Sequence, residues 1–271
     1  LDLLPPGWRT EIRGDLALTD DELDRWAEIT HKMFVPFHGD GIISQFEGYE
    51  SLDEFDWAGY REKYGNIERL DRILEAEGDT PNRYKLSKQA DVLMLFYLFS
   101  AEQLTALLRQ LGYPFDPGTI PRNVDYYLKR TAHGSSLSHV VHSWVLARTD
   151  RERSWRLFHE ALKNDVAYRE DTTTHEGIHL GAMAATVDII QRCYSGMELR
   201  HGRLWLHPSL PDELREVCFT MVYQDNELEV HIRRNAVRLR AARYATHPAE
   251  IFINGEPCVI RPGEAIERPL R

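Results

Sequence analysis

The sequence predicts a mainly α-helical body followed by a small antiparallel β-sheet domain, on three observations. Up to about residue 195 apolar residues recur at helical spacing, and beyond it the apolar period falls to two. The helical segments are joined by short Gly-, Asp- and Thr-rich links, which imply antiparallel neighbours as in an α-hairpin array or an α/α barrel. The expected division is residues 1–204 for the helical body and 205–271 for the sheet domain.

Each element has its own signal. "TDDELDRWAEITHKMF" (19–34) opens on a cap-like Thr-Asp-Asp and continues with apolar residues at helical spacing. "KLSKQADVLMLFYLF" (85–99) places Leu86, Ala90, Leu93 and Tyr97 on one face, and its second half is apolar nearly all round, as in a helix buried on several sides. "SAEQLTALLRQLGY" (100–113) has Ser100 as cap and Gly112 as stop. "IPRNVDYYLKR", "SSLSHVVHSWVLART", "DRERSWRLFHEALKNDV" and "EGIHLGAMAATVDIIQRCY" follow as further helices. Residues 216–223, 227–234 and 237–244 then alternate as strands, and Asn254-Gly255 is the strongest hairpin dipeptide in the chain.

Composition removes some functions. A formal charge of -10 lacks the basic stripes of a nucleic-acid surface. No apolar run approaches the roughly 20 residues of a membrane helix. The N-terminus shows no secretory signal, and Cys193, Cys218 and Cys258 form no CxxC pair, so free thiols and a cytoplasmic location are expected. With no initiating Met, the chain is expected to be a piece of something longer.

Four stretches carry chemistry. "HEGIH" (175–179) is a literal H-E-x-x-H, which on one helix face makes a zinc-peptidase set of His175, His179 and the base Glu176, with Glu198 as a third ligand. Its setting is poor, because the preceding threonines cap the helix there and leave His175 on the first turn; a single functional His179 without metal is the stronger reading. "TAHGSSLSHVVHSW" (131–144) opens a helix on Gly-Ser-Ser, which suits an anion held by Ser135 and Ser136. A plain serine cap competes closely with that reading, and a nucleophilic serine lacks the strand-turn-helix setting. His139 and His142 lie on the same face as Ser135, where they serve equally well as satisfied core histidines. "YKLSKQAD" (84–91) sets Lys88, Gln89 and Asp91 at the head of an apolar helix, ready to bond sugar hydroxyls or an anion or to form a solvated first turn. The acids of residues 41–57, from Glu47 to Asp56, read as a charged loop, none singled out by spacing.

Taken together in order, "SKQADVLMLFYL", "YYLKRTAHGSSLS", "TTTHEGIHLGAMAATVDIIQR" and "LWLHPSLP" resemble glycoside hydrolase family 65, over essentially the whole chain. The likeness is strengthened by "GDGIISQFEGYESL" and "KYGNIERLDRILEAEGD". The resemblance implies the later half of an (α/α)6 barrel followed by the family's C-terminal β-sheet domain. It implies an inverting disaccharide phosphorylase acting on a sugar such as trehalose, maltose or kojibiose, with inorganic phosphate as co-substrate and no cofactor. Lys88 and Gln89 would contact the glucosyl unit, and Ser135, Ser136 and His179 the phosphate; His175 inherits no role. The family's general acid is a glutamate in a "DEYH"-like segment expected upstream of Leu1, so the catalytic residue is unknown within this chain and the piece alone is expected to be poorly active. Family phosphorylases are commonly dimers, so a homodimer through the full-length enzyme is expected. A family hydrolase of trehalase or kojibiase type is the main rival; a non-catalytic sugar-binding module and a zinc peptidase are remoter ones.

Overall fold

The computed structural model describes residues 1, 3–89, 91–166 and 177–270. Helices α1 (Pro6–Asp15) and α2 (Asp20–Ile29) lead the chain. Thr19 caps α2 by accepting the Glu22 N–H, and three acids in the first turn face the positive helix end. Neither helix buries a residue, and Trp8 and Trp26 are exposed. A two-residue hairpin, β1 (Phe37–His38) with β2 (Ile42–Ile43), precedes α3 (Trp57–Tyr64) and α4 (Leu70–Ala76).

The helical body continues as α5 (Asp91–Leu98), α6 (Ala101–Gln110), α7 (Thr119–Leu128), α8 (Ser136–Leu146), α9 (Arg151–Lys163) and α10 (Leu180–Asp188). Ser100 and Gln103 close a full capping box on α6, and Gly112 takes the left-handed φ of 82° that ends it. Helix α5 begins only at Asp91, so Lys88 and Gln89 stand outside it. A π-helical turn, Ile189–Tyr194, extends α10. Among the described residues no single helix is long and apolar enough to cross a membrane.

Helix α8 is the central member. Its neighbours are α5, α7, α9 and α10. Val140 and Val141 are adjacent and both 0% exposed, yet they serve different cores. Val141 joins Ile42, Tyr49, Leu93 and Tyr127, whereas Val140 joins Phe158, Ala161, Ile189 and Tyr194. Successive helical positions point about 100° apart, so this arrangement requires a helix wrapped on two sides.

The sheet domain holds two four-stranded sheets. One runs in the order β3 (Met197–Arg200), β4 (Arg203–Leu206), β8 (Ala249–Ile253), β9 (Glu256–Ile260). The other runs β10 (Ala265–Pro269), β7 (Ala236–Ala241), β6 (Asn226–Arg233), β5 (Glu216–Tyr223). The strand region therefore opens at Met197, with the β3–β4 hairpin. All pairs are antiparallel except β4 with β8, where Trp205 lies opposite Phe252. The alternation along β6 buries Leu228, Val230 and Ile232 against Leu204, Leu206 and Ile251 of the other sheet. The β5–β6 and β8–β9 hairpins turn on Gln224-Asp225 and Asn254-Gly255, all four at positive φ as a tight two-residue hairpin demands. Ser209 N–H donates to Tyr194 O at 2.8 Å, and His207 N–H to Gly196 O at 3.1 Å, tying this domain to the end of the helical body. Within that body the Tyr194 hydroxyl meets Ser154 Oγ at 3.3 Å, and Ser154 donates to Ser143 O of α8 at 2.6 Å.

Asn123, fully buried on α7, fastens the β1–β2 hairpin. Its Oδ1 accepts the Ile43 N–H at 2.8 Å, and its Nδ2 donates to Gly41 O at 3.0 Å and Thr119 O at 2.8 Å. Asn123→Ala leaves the Ile43 N–H without its acceptor, and we predict a loss of about 1–3 kcal/mol in stability, read by urea or thermal unfolding.

Candidate functional site

Two distant stretches are brought together by a backbone bridge. Ser87 pairs in parallel with Thr131: Ser87 N–H donates to Arg130 O at 2.8 Å, and Ala132 N–H to Ser87 O at 2.9 Å. Both side chains are buried, and Thr131 Oγ1 donates back to Tyr127 O at the end of α7 at 2.7 Å. The bridge commits Ser87 to extended pairing and keeps it out of α5. Val92 N–H, in the first turn of α5, then finds its acceptor in Gln45 Oε1 at 3.1 Å. Lys88 and Gln89 are thereby carried alongside the turn that opens α8.

That turn is tightly constrained. Gly134 has no room for a side chain: a Cβ there would lie 2.2 Å from Glu68 O and 3.1 Å from Lys88 Cγ. Ser135 occupies the N-cap of α8 in an extended conformation, but its hydroxyl makes no cap bond. It donates instead to Gln89 Oε1 at 3.0 Å. The plain-cap reading of Ser135 therefore fails. The N–H groups of Ser136 and Leu137 lie at the open end of α8, beyond reach of any acceptor in their own helix. Beside Lys88 opens a cleft of about 160 Å³, bounded by Phe46, Tyr49, Glu68, Asp71 and Tyr84.

Behind the turn three imidazoles gather. His133, at φ 59°, stacks on His139 with centroids 5.4 Å apart and planes 8° from parallel. It meets His142 edge-on at 4.5 Å. Ser138 Oγ lies 3.1 Å from His133 Nδ1 and 3.3 Å from His142 Nδ1, and His142 Nδ1 is 2.8 Å from Ser138 O. Burial pushes His133 down to about 2 and His142 to about 4; neighbouring imidazoles and Arg153 add to the shift, and the bond to Ser138 opposes it at His142.

His179 stands at the N-cap of α10. Its ring Nδ1 lies 2.7 Å from Asp165 Oδ1, and its N–H donates to Oδ2 at 2.8 Å. Burial raises the Asp165 carboxyl, but the two bonds from His179 outweigh it and hold it below the usual range. Helix α10, which His179 opens, packs on α8. The zinc reading loses its geometry here. His175 and Glu176 lie outside the described residues, and residues 177–179 are not helical, with Gly177 at φ 110°. Glu198 sits on β3, paired with Arg200 at 2.8 Å. Among the described residues no group of three or more metal-ligating side chains gathers.

The acids of residues 41–57 are partly in structural use. Glu54 pairs with Arg130 at 3.0 Å and Lys85 at 3.5 Å, Asp53 with Arg83 at 3.0 Å, and Asp56 caps α3 through the Gly59 N–H. Sequence reasoning missed Asp165 and His133. Asp165 belongs to no motif and reaches His179 only through the fold. His133 carried one available signal, a histidine directly before the glycine of a tight turn.

Neutral burial of His133 and His142 has a definite sign. In the unfolded chain each ring takes up a proton near pH 6.5, while the folded rings resist it until about 2 and about 4. The stabilisation is complete above pH 6.5 and is lost as pH falls below it. Each ring is expected to cost about 1.4 kcal/mol of stability per pH unit over the first units below 6.5. Melting temperatures from pH 7.5 to 5 should drop, and His142→Gln should flatten that slope.

Comparison with known proteins identifies the family. Residues 9–188 match the glycosyl hydrolase family 65 central catalytic domain, and residues 197–260 the family 65 C-terminal domain. An uncharacterized glycosyl hydrolase of Mycobacterium tuberculosis is 51% identical over 267 residues, 98% of this chain and 20% of the relative. The trehalose 6-phosphate phosphorylase of Lactococcus lactis is 32% identical over 237 residues, 87% of this chain and 31% of the relative. A solved human-microbiome structure, provisionally titled a kojibiose phosphorylase, superposes with a TM-score of 0.73 at 21% identity, covering 96% of this chain and 36% of that one. The chain thus spans a fifth to about a third of these relatives' lengths. It belongs to glycosyl hydrolase family 65, carrying a helical portion of the central catalytic domain followed by the C-terminal domain.

Proposed function

We propose that this chain supplies the phosphate- and glucosyl-binding part of a disaccharide phosphorylase, a transferase-type reaction in which inorganic phosphate cleaves an α-linked glucosyl disaccharide with inversion and gives β-glucose 1-phosphate. The observation that carries the reading is the hydroxyl of Ser135, turned away from its own helix and onto Gln89. The open end of α8 is left with N–H donors and a positive helix terminus beside Lys88, a setting that favours an anion over a neutral ligand.

In this reading Ser136 and the α8 terminus hold phosphate, joined by Ser135 when its hydroxyl exchanges Gln89 for the anion, with His179 as a further donor. Asp165 engages His179 Nδ1 and fixes the orientation of the ring. Lys88 and Gln89 hold the glucosyl unit, and the cleft beside Lys88, with aromatic walls and an acidic rim, suits a sugar ring. A phosphate oxygen attacks the anomeric carbon from the face opposite the glycosidic oxygen. That carbon–oxygen bond breaks as a general acid, supplied by the longer protein outside this chain, gives its proton to the departing sugar. Phosphate is already anionic and requires no general base, so positioning and charge carry the step. Hydrolysis requires a carboxylate base for water instead.

The test is a product assay on the full-length protein with trehalose, kojibiose and maltose, with and without phosphate. Glucose 1-phosphate formed only when phosphate is present, and first seen as the β anomer by NMR, is the expected result. Free glucose released at a rate independent of phosphate would overturn the reading in favour of a family hydrolase. Ser136→Ala should raise the phosphate KM by about tenfold to a hundredfold, the loss of one hydrogen bond to a charged group.

A further inference from the structure

We propose that His133 is a positioning residue for the anion turn, its ring clasped by Ser138 so that residues 133 and 138 hold Gly134, Ser135 and Ser136 from both ends. The inference rests on the phosphate reading of that turn and assigns the part of the fold that aims it.

The hydrogen position on His142 follows from its partner. Ser138 O can only accept, so His142 Nδ1, 2.8 Å away, carries the hydrogen. The Ser138 hydroxyl, 3.1 Å from His133 Nδ1, is the hydrogen-bond partner of that nitrogen. Ser138 is 0% exposed and belongs to α8, the helix fixed by Val140 and Val141 in two separate cores. The rigid helix thus grips the residue that precedes its own opening turn. His133 needs that grip. Its φ of 59° is a left-handed conformation that a residue with a Cβ enters only when its surroundings enforce it. The ring is enforced on three sides, by the hydroxyl of Ser138, the stacked face of His139 and the edge of His142. On the other side of the turn, Gly134 abuts Glu68 O and the Lys88 stem, so the loop has no slack in which to lean.

The sugar-side residues touch the turn, through the Ser135–Gln89 bond and the Lys88 stem at Gly134, but they also have an anchor that the clasp does not include. Lys88 and Gln89 are anchored by the Ser87–Thr131 bridge, which does not involve an imidazole. Loss of the clasp should therefore weaken phosphate far more than disaccharide. Three variants in the full-length protein test this: His133→Gly, which accepts the backbone conformation but lacks the ring; His133→Asn, which tolerates it and keeps a hydrogen-bonding group for Ser138; and Ser138→Ala. His133→Gly and Ser138→Ala should each raise the phosphate KM by about tenfold or more, with the disaccharide KM within about threefold, and His133→Asn should recover most of the loss. A folded His133→Gly with an unchanged phosphate KM overturns the clasp, as does a parallel rise of both KM values that Asn fails to rescue. If His133→Gly does not fold, Ser138→Ala decides in the same terms. Wild-type turnover that ignores phosphate defeats the phosphate reading itself, an outcome distinct from either.

Discussion

The short parallel bridge between Ser87 and Thr131 is the constraint on which the site depends. It consists of two backbone hydrogen bonds, yet it keeps Ser87 out of α5 and sets what the residues that follow it face. Because Ser87 is committed to Thr131, the next two side chains, Lys88 and Gln89, leave the chain beside the turn at Gly134. Because Thr131 also returns a bond to Tyr127, the bridge is fixed to the end of α7. Such pairing in the middle of a helical body needs burial to survive competition from water, and both partners have it.

Charge is distributed around this bridge with some economy. His133 and His142 behind the turn are kept neutral by burial, so the positive charge there lies at Lys88 and at the terminus of α8. His179, on another helix, is matched with a carboxylate of its own. Of the acids of residues 41–57, Glu54 is paired with Arg130 and Lys85, and Asp53 with Arg83.

Much of this was legible in the sequence where a local signal sufficed. The Ser100 cap, the Gly112 stop, the Asn254-Gly255 turn and the apolar period of β6 all appear as the pattern predicts. The body-plus-sheet architecture and the family followed from ordered motifs. What escaped depends on contacts between distant residues. The expected helix over 85–99 starts late because Ser87 finds a partner in Thr131, which no periodicity reveals. The sheet region opens early, at Met197, because "MELR" and "RLWL" form a hairpin too short to impose a clear period of two. The parallel β4–β8 pair joins strands separated by three others and has no local signature. At the site, Ser135 looks like an ordinary cap until Gln89 is brought to its hydroxyl, and Asp165 and His133 are ordinary residues until the fold supplies their partners.

The buried hydroxyls of Tyr194, Ser154 and Ser143 carry a mechanical consequence. They link the end of the π-helical turn, where the sheet domain attaches through Ser209, to the middle of α8. Helix α8 is thus held near its waist, with the Gly-Ser-Ser turn at its N-terminal tip. The sheet domain is thereby tied through buried hydrogen bonds to the helix that carries the turn. The sheet domain and the turn are in this sense mechanically continuous through α8.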